Sequence, residues 1–575
     1  MEVYKERLAL FRAAMKKHQI THYYQRLGDS QMTEFVHPSF QRIQYLCGFT
    51  GENVSIVITK DSANIWVDGR YYLQAEKTLP KYWTIFHMGD KTVIRPMNFI
   101  KKYSFAIHAA CDFNTSSPVY IDNSIAFEDI DIFSEINPTS LTLGDVKEFT
   151  SGNTVSEKLN MIRAYQNDTV VLTDIDDVAW TFNVRGKDIP YAPLAYAYGV
   201  ITQSKSYLFI GRSEEKEKIQ SFTELIEAKV EVYPYTSFNE KMGSLLEGPV
   251  VAFNAEFTNL KVFLIIKQDE SFTLNQRFEI LERPIKTTKE IENLKKIHTR
   301  DSASLCTFFN EVEKRSQEMK SADEWEFVEL LEKIRSKQKT YDGPSFPSII
   351  SSGKNAAVIH YEPTKTEKSE VNWDKMLLFD IGSQYSDGCT TDVSRTYHFK
   401  VPSERMKRVY TTVLKSSINL HKAVFDKDTN SNELDNEYVR KTITTENPEW
   451  DYNHATGHGV GYYSLCHQCP PLIGMAQPLK EGMVTSIEPG IYINEELGVR
   501  LENVVVVTKE TEHTLKFVPL TYVPFSQALI DVSVMEKSQV EWLNWYNQKI
   551  REDILPLVDK ETQQWILKNT EPYNL

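Results

Sequence analysis

Apolar positions recur at helical spacing in the opening stretch MEVYKERLALFRAAMKKHQI, at Tyr4, Leu8, Phe11 and Met15, and predict an amphipathic first helix. The pattern then shortens. VSIVITK (54–60) and ANIWVDGRYY (63–72) are near-continuous apolar runs separated by a polar turn, which predicts a β-hairpin followed by a helix. The charged, polar stretch GDVKEFTSGNTVSEKLNMIRAY (144–165) reads as a linker running into a new helix. VVLTDIDDVAWTFNVRG (170–186) and AYGVITQSKSYLFIG (197–211) then bring helix and apolar hairpin together again, so a duplicated α/β architecture is expected without a close sequence repeat. From about Pro284 a long charged helix, KTTKEIENLKKIHTRDSASLCTFFNEVEK, opens a third segment. The expected domains are 1–145, 146–284 and 285–575.

Two stretches of the third segment depart from ordinary strand patterning. KMLLFDIGSQYSDGCTTDVSRTYHF (375–399) is an apolar run, a turn at Ser386-Asp387-Gly388 and a β-branched return, with Asp380 and Asp392 symmetric about Ser386 and expected to face each other. GMVTSIEPGIYINEELGVRLENVVVV (482–507) is a second hairpin, with Glu488 and Glu502 symmetric about Glu495. An acid flanked by Val, Ile and Leu costs several kcal/mol to bury unless a cation compensates it. Any one of the four acids could be solvated or paired with Arg. Four together, with a nearby histidine, point to metal.

That histidine comes from HATGHGVG (454–461). Each of its three glycines costs about 1 kcal/mol in a helix interior, so His454 and His458 are not expected to share a helical face. A helical zinc protease would also need Glu after the first His, and position 455 is Ala. On these residues alone the pair reads either as a metal site or as a Gly-rich turn with locally bonded histidines. The four acids tip the reading: they balance two divalent ions in charge, and an oxygen-rich set with one imidazole suits Mn²⁺, Co²⁺ or Zn²⁺.

Bulk properties narrow the class. At 575 residues the chain exceeds one hydrophobic core, and 41% hydrophobic with 12% aromatic residues is enough for several. A net charge of -14 with dispersed Lys and Arg disfavours nucleic acid and anionic membranes as partners. No run approaches a membrane span, and the acidic, amphipathic start is unlike a signal or transit peptide. Six cysteines in such a chain suit a reducing, cytoplasmic setting, and the single CxxC at Cys466-His-Gln-Cys469 is weak evidence for zinc or redox work.

The order Asp, Asp, His, Glu, Glu on LLFDIGSQYSDGCTTDVSRT, HATGHGVG, SIEPGIY and RLENVV resembles the pita-bread metallopeptidases. WVDGRYYLQAEK (66–77), AWTFNVRG (179–186), GPSFPSIISSG (343–353), IHYEP (359–363) and PLTYVPFSQALIDV extend the resemblance over nearly the whole chain, to the three-domain, eukaryotic-type aminopeptidase P family. The resemblance implies an α/β (α+β) chain with two creatinase-like domains before a pita-bread catalytic domain. It implies that Asp380 holds one metal ion, that His458 and Glu488 hold the other, and that Asp392 and Glu502 bridge them. His360, His454 and His467 would then line the substrate cleft, with Arg70 also on the substrate side. Two ions, Mn²⁺ first among the candidates, would hold a water between them as hydroxide, and Glu488 would carry its proton to the leaving nitrogen. The implied activity is release of the first residue from peptides with proline second, by a cytoplasmic homodimer associated through the catalytic domain. The alternatives are a prolidase, which cleaves only dipeptides, and a non-catalytic pita-bread protein, in which ligands are characteristically lost.

Two features depart from the family pattern. The Asp380 to Asp392 interval is one residue longer than usual, which predicts a bulge at Cys389, and HQCPP (467–471) stands where HEGP is usual, which sets Gln468 near the end of the substrate. In the tail, Ser533-Val-Met-Glu536 predicts a capping box that begins a helix carrying Val540, Leu543, Trp545, Tyr546 and Ile550.

Overall fold

The computed structural model describes residues 2–90, 92–102, 108–115, 127–165 and 168–574. The chain forms two compact units, Met1–Ile280 and Leu281–Leu575.

The first unit holds two six-stranded sheets. In one, the strands run in the order Trp83–His87, Ala63–Val67, Ser55–Thr59, His22–Arg26, Ala109–Cys111, Phe127–Asp129. In the other the order is Glu231–Tyr233, Ser206–Ile210, Ala197–Ile201, Thr169–Leu172, Val250–Ala252, Thr273–Asn275. Both sheets read parallel, antiparallel, antiparallel, parallel, parallel across the ladder, which is the duplication that the alternating patterns suggested. The opening helix, Glu2–Lys17, buries Leu8, Phe11 and Met15 against the first sheet.

The second unit is entered through the helix Thr288–Gln317, capped by a reciprocal Thr287–Glu290 box. Both expected hairpins are present. Strand Leu377–Asp380 pairs with Ser394–Tyr397, and Ser383–Tyr385 pairs with Cys389–Thr391 in the same register. That register centres the turn on Asp387, not Ser386, because Gly388 takes the positive φ of 108° and its N–H closes the turn on Tyr385 O. Asp380 therefore faces Ser394, and Asp392 is its diagonal neighbour on the same sheet face. Cys389 does not bulge: it pairs with Tyr385 and is fully buried beside Leu294 and Ile297. In the second hairpin, Gly490–Ile493 pairs with Leu497–Arg500 about Glu495, and Val484–Ile487 with Asn503–Lys509 in continuous register. Glu488 and Glu502 thus stand opposite each other where the two ladders join.

The helix predicted in the tail runs Lys537–Asp553, with a capping box of Glu536 and Gln539, and a second helix, Lys560–Asn569, follows it. Ser533 is instead bonded to Asp531, so the expected cap lies three residues too early. Val540, Leu543, Tyr546 and Ile550 pack into the core of their own unit, and Trp545 is left exposed.

One buried ion pair fixes the first hairpin from behind. Arg335 donates to both carboxylate oxygens of Asp301, at 3.0 and 2.9 Å, and to Gly382 O at 3.1 Å. Asp301 also accepts from Tyr385 at 2.6 Å and Thr391 at 3.0 Å. Removing one partner of such a pair leaves an uncompensated buried charge. Asp301→Ala is expected to take about 3–5 kcal/mol from the denaturant unfolding transition of this unit; a loss below about 1 kcal/mol would mean that the pair is hydrated and does not hold the hairpin.

Candidate metal centre

The two hairpins bring four carboxylates to one place, and a short strand, Gly457–His458, adds an imidazole. That strand pairs with Leu472–Ile473, so the HATGHGVG loop is extended as its glycines require. A Cβ at position 457 would collide with Ser486 O, and one at 459 with Gln468 O. The glycines let two backbones close around His458.

Three groups of donor atoms overlap: Asp380, Asp392 and Glu502; His458, Glu488 and Glu502; and Asp392, His458 and His467. Within each group the ligand atoms lie within 4.8 Å of one another. Glu502 belongs to the first two groups and Asp392 to the first and third, so these two residues occupy the middle. Asp380 Oδ1, Asp392 Oδ1 and Glu502 Oε1 are buried and accept no hydrogen bond from any described residue. Buried carboxylate oxygens left without donors are what a cation site presents in its absence. This donor set fits divalent ions.

Each carboxylate is also held by a neighbour. Arg500 donates to Asp380 Oδ2 from Nη2 at 2.6 Å and from Nε at 3.2 Å. Ser394 donates to Glu502 at 3.1 Å, Ser486 to Glu488 at 3.1 Å, and the Cys466 thiol to Asp392 Oδ2 at 3.2 Å. His458 Nε2 lies 3.2 Å from Glu488 and 3.4 Å from Asp392, while its Nδ1 donates to Gly459 O at 3.0 Å. Behind the site Arg395 ties the hairpins together, donating to Ser394 O, Glu502 O and Asn503 Oδ1.

The charges explain the proton affinities. Burial pushes Asp380 up to about 6 against the pull of Arg500. Burial, then the charges of Asp392, Glu488 and Asp380, push Glu502 well above the carboxylate range. Burial also works upward on Glu488, but the hydrogen bond and charge of His458 prevail and hold it at about 2. For His458 burial works downward, and its bonds to Asp392 and Glu488 overcome this and carry it well above the ordinary value.

The remaining predicted residues divide. His454 Nδ1 donates to Ala455 O at 2.7 Å, so its Nε2 accepts from the Tyr492 hydroxyl at 2.9 Å. Tyr492 in turn accepts from Arg500 at 2.7 Å. Burial pushes His454 down to about 4, so the ring is neutral. His467 stands edge-on to His458 with ring centroids 4.4 Å apart. His360 is on the loop whose Ile359 O accepts from Arg500 at 3.3 Å. Gln468 is buried and accepts from Lys286 at 2.5 Å. Arg70, in the first unit, is paired with Asp68 at 3.0 Å and Glu52 at 3.5 Å. Sequence reasoning missed Arg500, Tyr492 and Cys466. The period-2 rule reaches the first two, since Arg500 precedes Glu502 by two and Tyr492 follows Glu488 by four on the same strand faces.

The comparisons agree with this geometry. Residues 292–509 match the metallopeptidase family M24, 513–573 its C-terminal region, and 7–103 and 142–299 match creatinase/prolidase N-terminal domains. Aminopeptidase P2 of Arabidopsis thaliana is 31% identical, with 95% of this chain and 85% of that protein aligned. The chain belongs to the aminopeptidase P family of M24 metallopeptidases. Xaa-Pro aminopeptidase 2 of Rattus norvegicus, another member, is also 31% identical over 98% of this chain and 88% of its own length. The X-prolyl aminopeptidase of Caenorhabditis elegans, described as a cytosolic enzyme with a di-nuclear active site, superposes over the whole of both chains with a TM-score of 0.92 at 26% identity. The pita-bread fold with creatinase-like domains is thereby that of this chain.

Since His458 carries a proton shared between Asp392 and Glu488, an ion that takes its Nε2 must displace that proton. Affinity for a divalent ion is therefore expected to rise with pH, with protons released on binding. Competition with a chromophoric chelator at about pH 6 and about pH 8 checks the sign; equal affinities would show that His458 is not titrated by binding.

Proposed function

We propose that this chain is a dinuclear metal aminopeptidase that releases the first residue from peptides carrying proline in the second position. The observation that supports it most is the set of overlapping donor groups with three orphaned buried oxygens. Asp380 would hold one ion and His458 and Glu488 the other, with Asp392 and Glu502 available to both. Bound divalent ions supply Lewis acidity and lower the pKa of a water at the site. Mn²⁺ comes first by the oxygen-rich ligand set, with Zn²⁺ and Co²⁺ compatible.

The chain's own groups then do the following. Glu488, ionised, accepts the proton of the attacking water and returns it to the leaving nitrogen. A proline nitrogen carries no N–H, so recognition falls to groups around the ring and carbonyl, which we assign to His360 and His467. His454 acts from beside the substrate as a neutral imidazole whose orientation is set by Tyr492 and Arg500. The acidic cluster attracts the free α-amine, which restricts cleavage to the amino terminus. Arg70 is the proposed contribution of the first domain, 1–145, which with 146–284 precedes the catalytic domain 285–575.

A cytoplasmic homodimer, associated through the catalytic domain, completes the proposal. Among the described residues no helix is long and apolar enough to cross a membrane.

Activity on matched substrates tests the reaction. Metal-loaded protein is expected to cleave an Xaa-Pro-Yaa tripeptide, with little or no turnover of Xaa-Pro or of Xaa-Ala-Yaa. Turnover confined to the Xaa-Pro dipeptide would make the chain a prolidase, and none on any peptide would make it non-catalytic.

The two histidines of HATGHGVG separate by role. His458→Ala is expected to lose one ion and nearly all turnover. His454→Ala should keep both ions and lose about 10²–10⁴-fold in kcat/KM. Metal analysis showing the reverse, with His454→Ala depleted and His458→Ala loaded, would exchange the two assignments.

A further inference from the structure

The holding groups of the four carboxylates are of unequal kind. Asp380 is gripped by a guanidinium, and Glu488 and Glu502 each by a serine hydroxyl. Asp392, at the centre of the donor groups, has the Cys466 thiol. Asp392 Oδ2, which accepts from that thiol, lies 3.4 Å from His458 Nε2, the proposed ligand atom, and His467 belongs to the same donor group. Cys466 is itself buried, at 1% exposure, and lies next to His467 in sequence. An ionised carboxylate can only accept, so the hydrogen sits on sulfur.

We propose that Cys466 is a positioning residue for the metal centre, its S–H fixing the rotation of Asp392 so that Oδ1 faces Asp380 and Glu502 while a second lone pair of Oδ2 stays directed at His458. This role rests on the dinuclear reading above. A thiol is a weak donor compared with a hydroxyl or guanidinium. It orients the carboxylate while withdrawing little charge from it, which suits a ligand that must serve two cations. Asp380, which serves one, tolerates the strong grip of Arg500. The sulfur acts through Asp392 and is not itself a ligand.

The test is metal binding by the full-length apoprotein, measured by isothermal titration with Mn²⁺ and by metal analysis after dialysis, for wild type, Cys466→Val and Cys466→Ser. Loss of an outer hydrogen bond to a metal ligand costs about 10–100-fold in affinity. Cys466→Val is expected to bind at least one ion that much more weakly at an unchanged apoprotein melting temperature, and Cys466→Ser to recover part of the loss. Two sites of wild-type affinity in Cys466→Val would overturn the role. So would a Co²⁺-loaded wild-type protein with a sulfur-to-cobalt charge-transfer band, since Cys466 would then be a direct ligand; this measurement needs no variant to fold. Failure of the wild-type chain to bind any divalent ion would remove the metal centre and this role with it, whereas normal binding by Cys466→Val removes this role alone.

Discussion

Four carboxylates share one buried space with one guanidinium and one imidazole, and their mutual repulsion is the constraint on which the second unit is built. Asp380, Asp392, Glu488 and Glu502 crowd a region where water cannot screen them, with Arg500 against Asp380 and the His458 ring against Asp392 and Glu488. Loosely held strands would relieve the repulsion by splaying. Here the acids sit at the joints of two continuous hairpins whose registers allow no slip without turning the apolar face outward. Arg395 fastens one hairpin to the other through backbone carbonyls, and Arg335 with Asp301 fastens the first to the helix Thr288–Gln317. These charged groups do not touch the donor oxygens. They spend their hydrogen bonds on the frame, so that the carboxylates stay uncompensated until a cation arrives.

The distribution of the one compensating charge makes the two halves of the site unequal. Asp380 already faces Arg500, so an ion bound there meets a partly neutralised ligand. The other half offers Glu488 and an imidazole that must first give up a proton. Binding in the imidazole half must displace the His458 proton, whereas the half beside Asp380 keeps its guanidinium, so the two halves respond differently to pH.

Much of this was legible in the strand patterns, and the gaps have particular causes. Glu488 and Glu502 were placed correctly because their hairpin is symmetric about Glu495. The partner of Asp380 was placed two residues early, at Asp392 and not Ser394, because the demand of Gly388 for positive φ, and not the midpoint of the turn residues, decides the centre. The extra residue then needs no bulge at Cys389. Alternation puts Arg500 on the strand face of Glu502, but its pairing with Asp380 of the other hairpin is tertiary and has no local sequence signal. The Asp301–Arg335 pair was not legible in the same way: its partners at 301, 335, 382, 385 and 391 meet only through tertiary packing. The predicted cap of the helix Lys537–Asp553 failed for a local reason, since Asp531 takes Ser533 before it can serve the helix.

The loop that carries both histidines shows how these layers meet. His458 lies in a two-residue strand and points at the carboxylates, while four residues earlier His454 faces Tyr492. From Tyr492 the contacts run to Arg500 and on to Asp380, on the far side of the same donor set. The loop therefore touches the donor set twice, once through His458 and once through the chain of hydrogen bonds that holds Asp380. A helix would have stacked the two imidazoles on one face and given up this arrangement. The glycines at 457 and 459 prevent the helix and admit the flanking backbones of Ser486 and Gln468, so the same residues that make the stretch look like a turn are what let it bind.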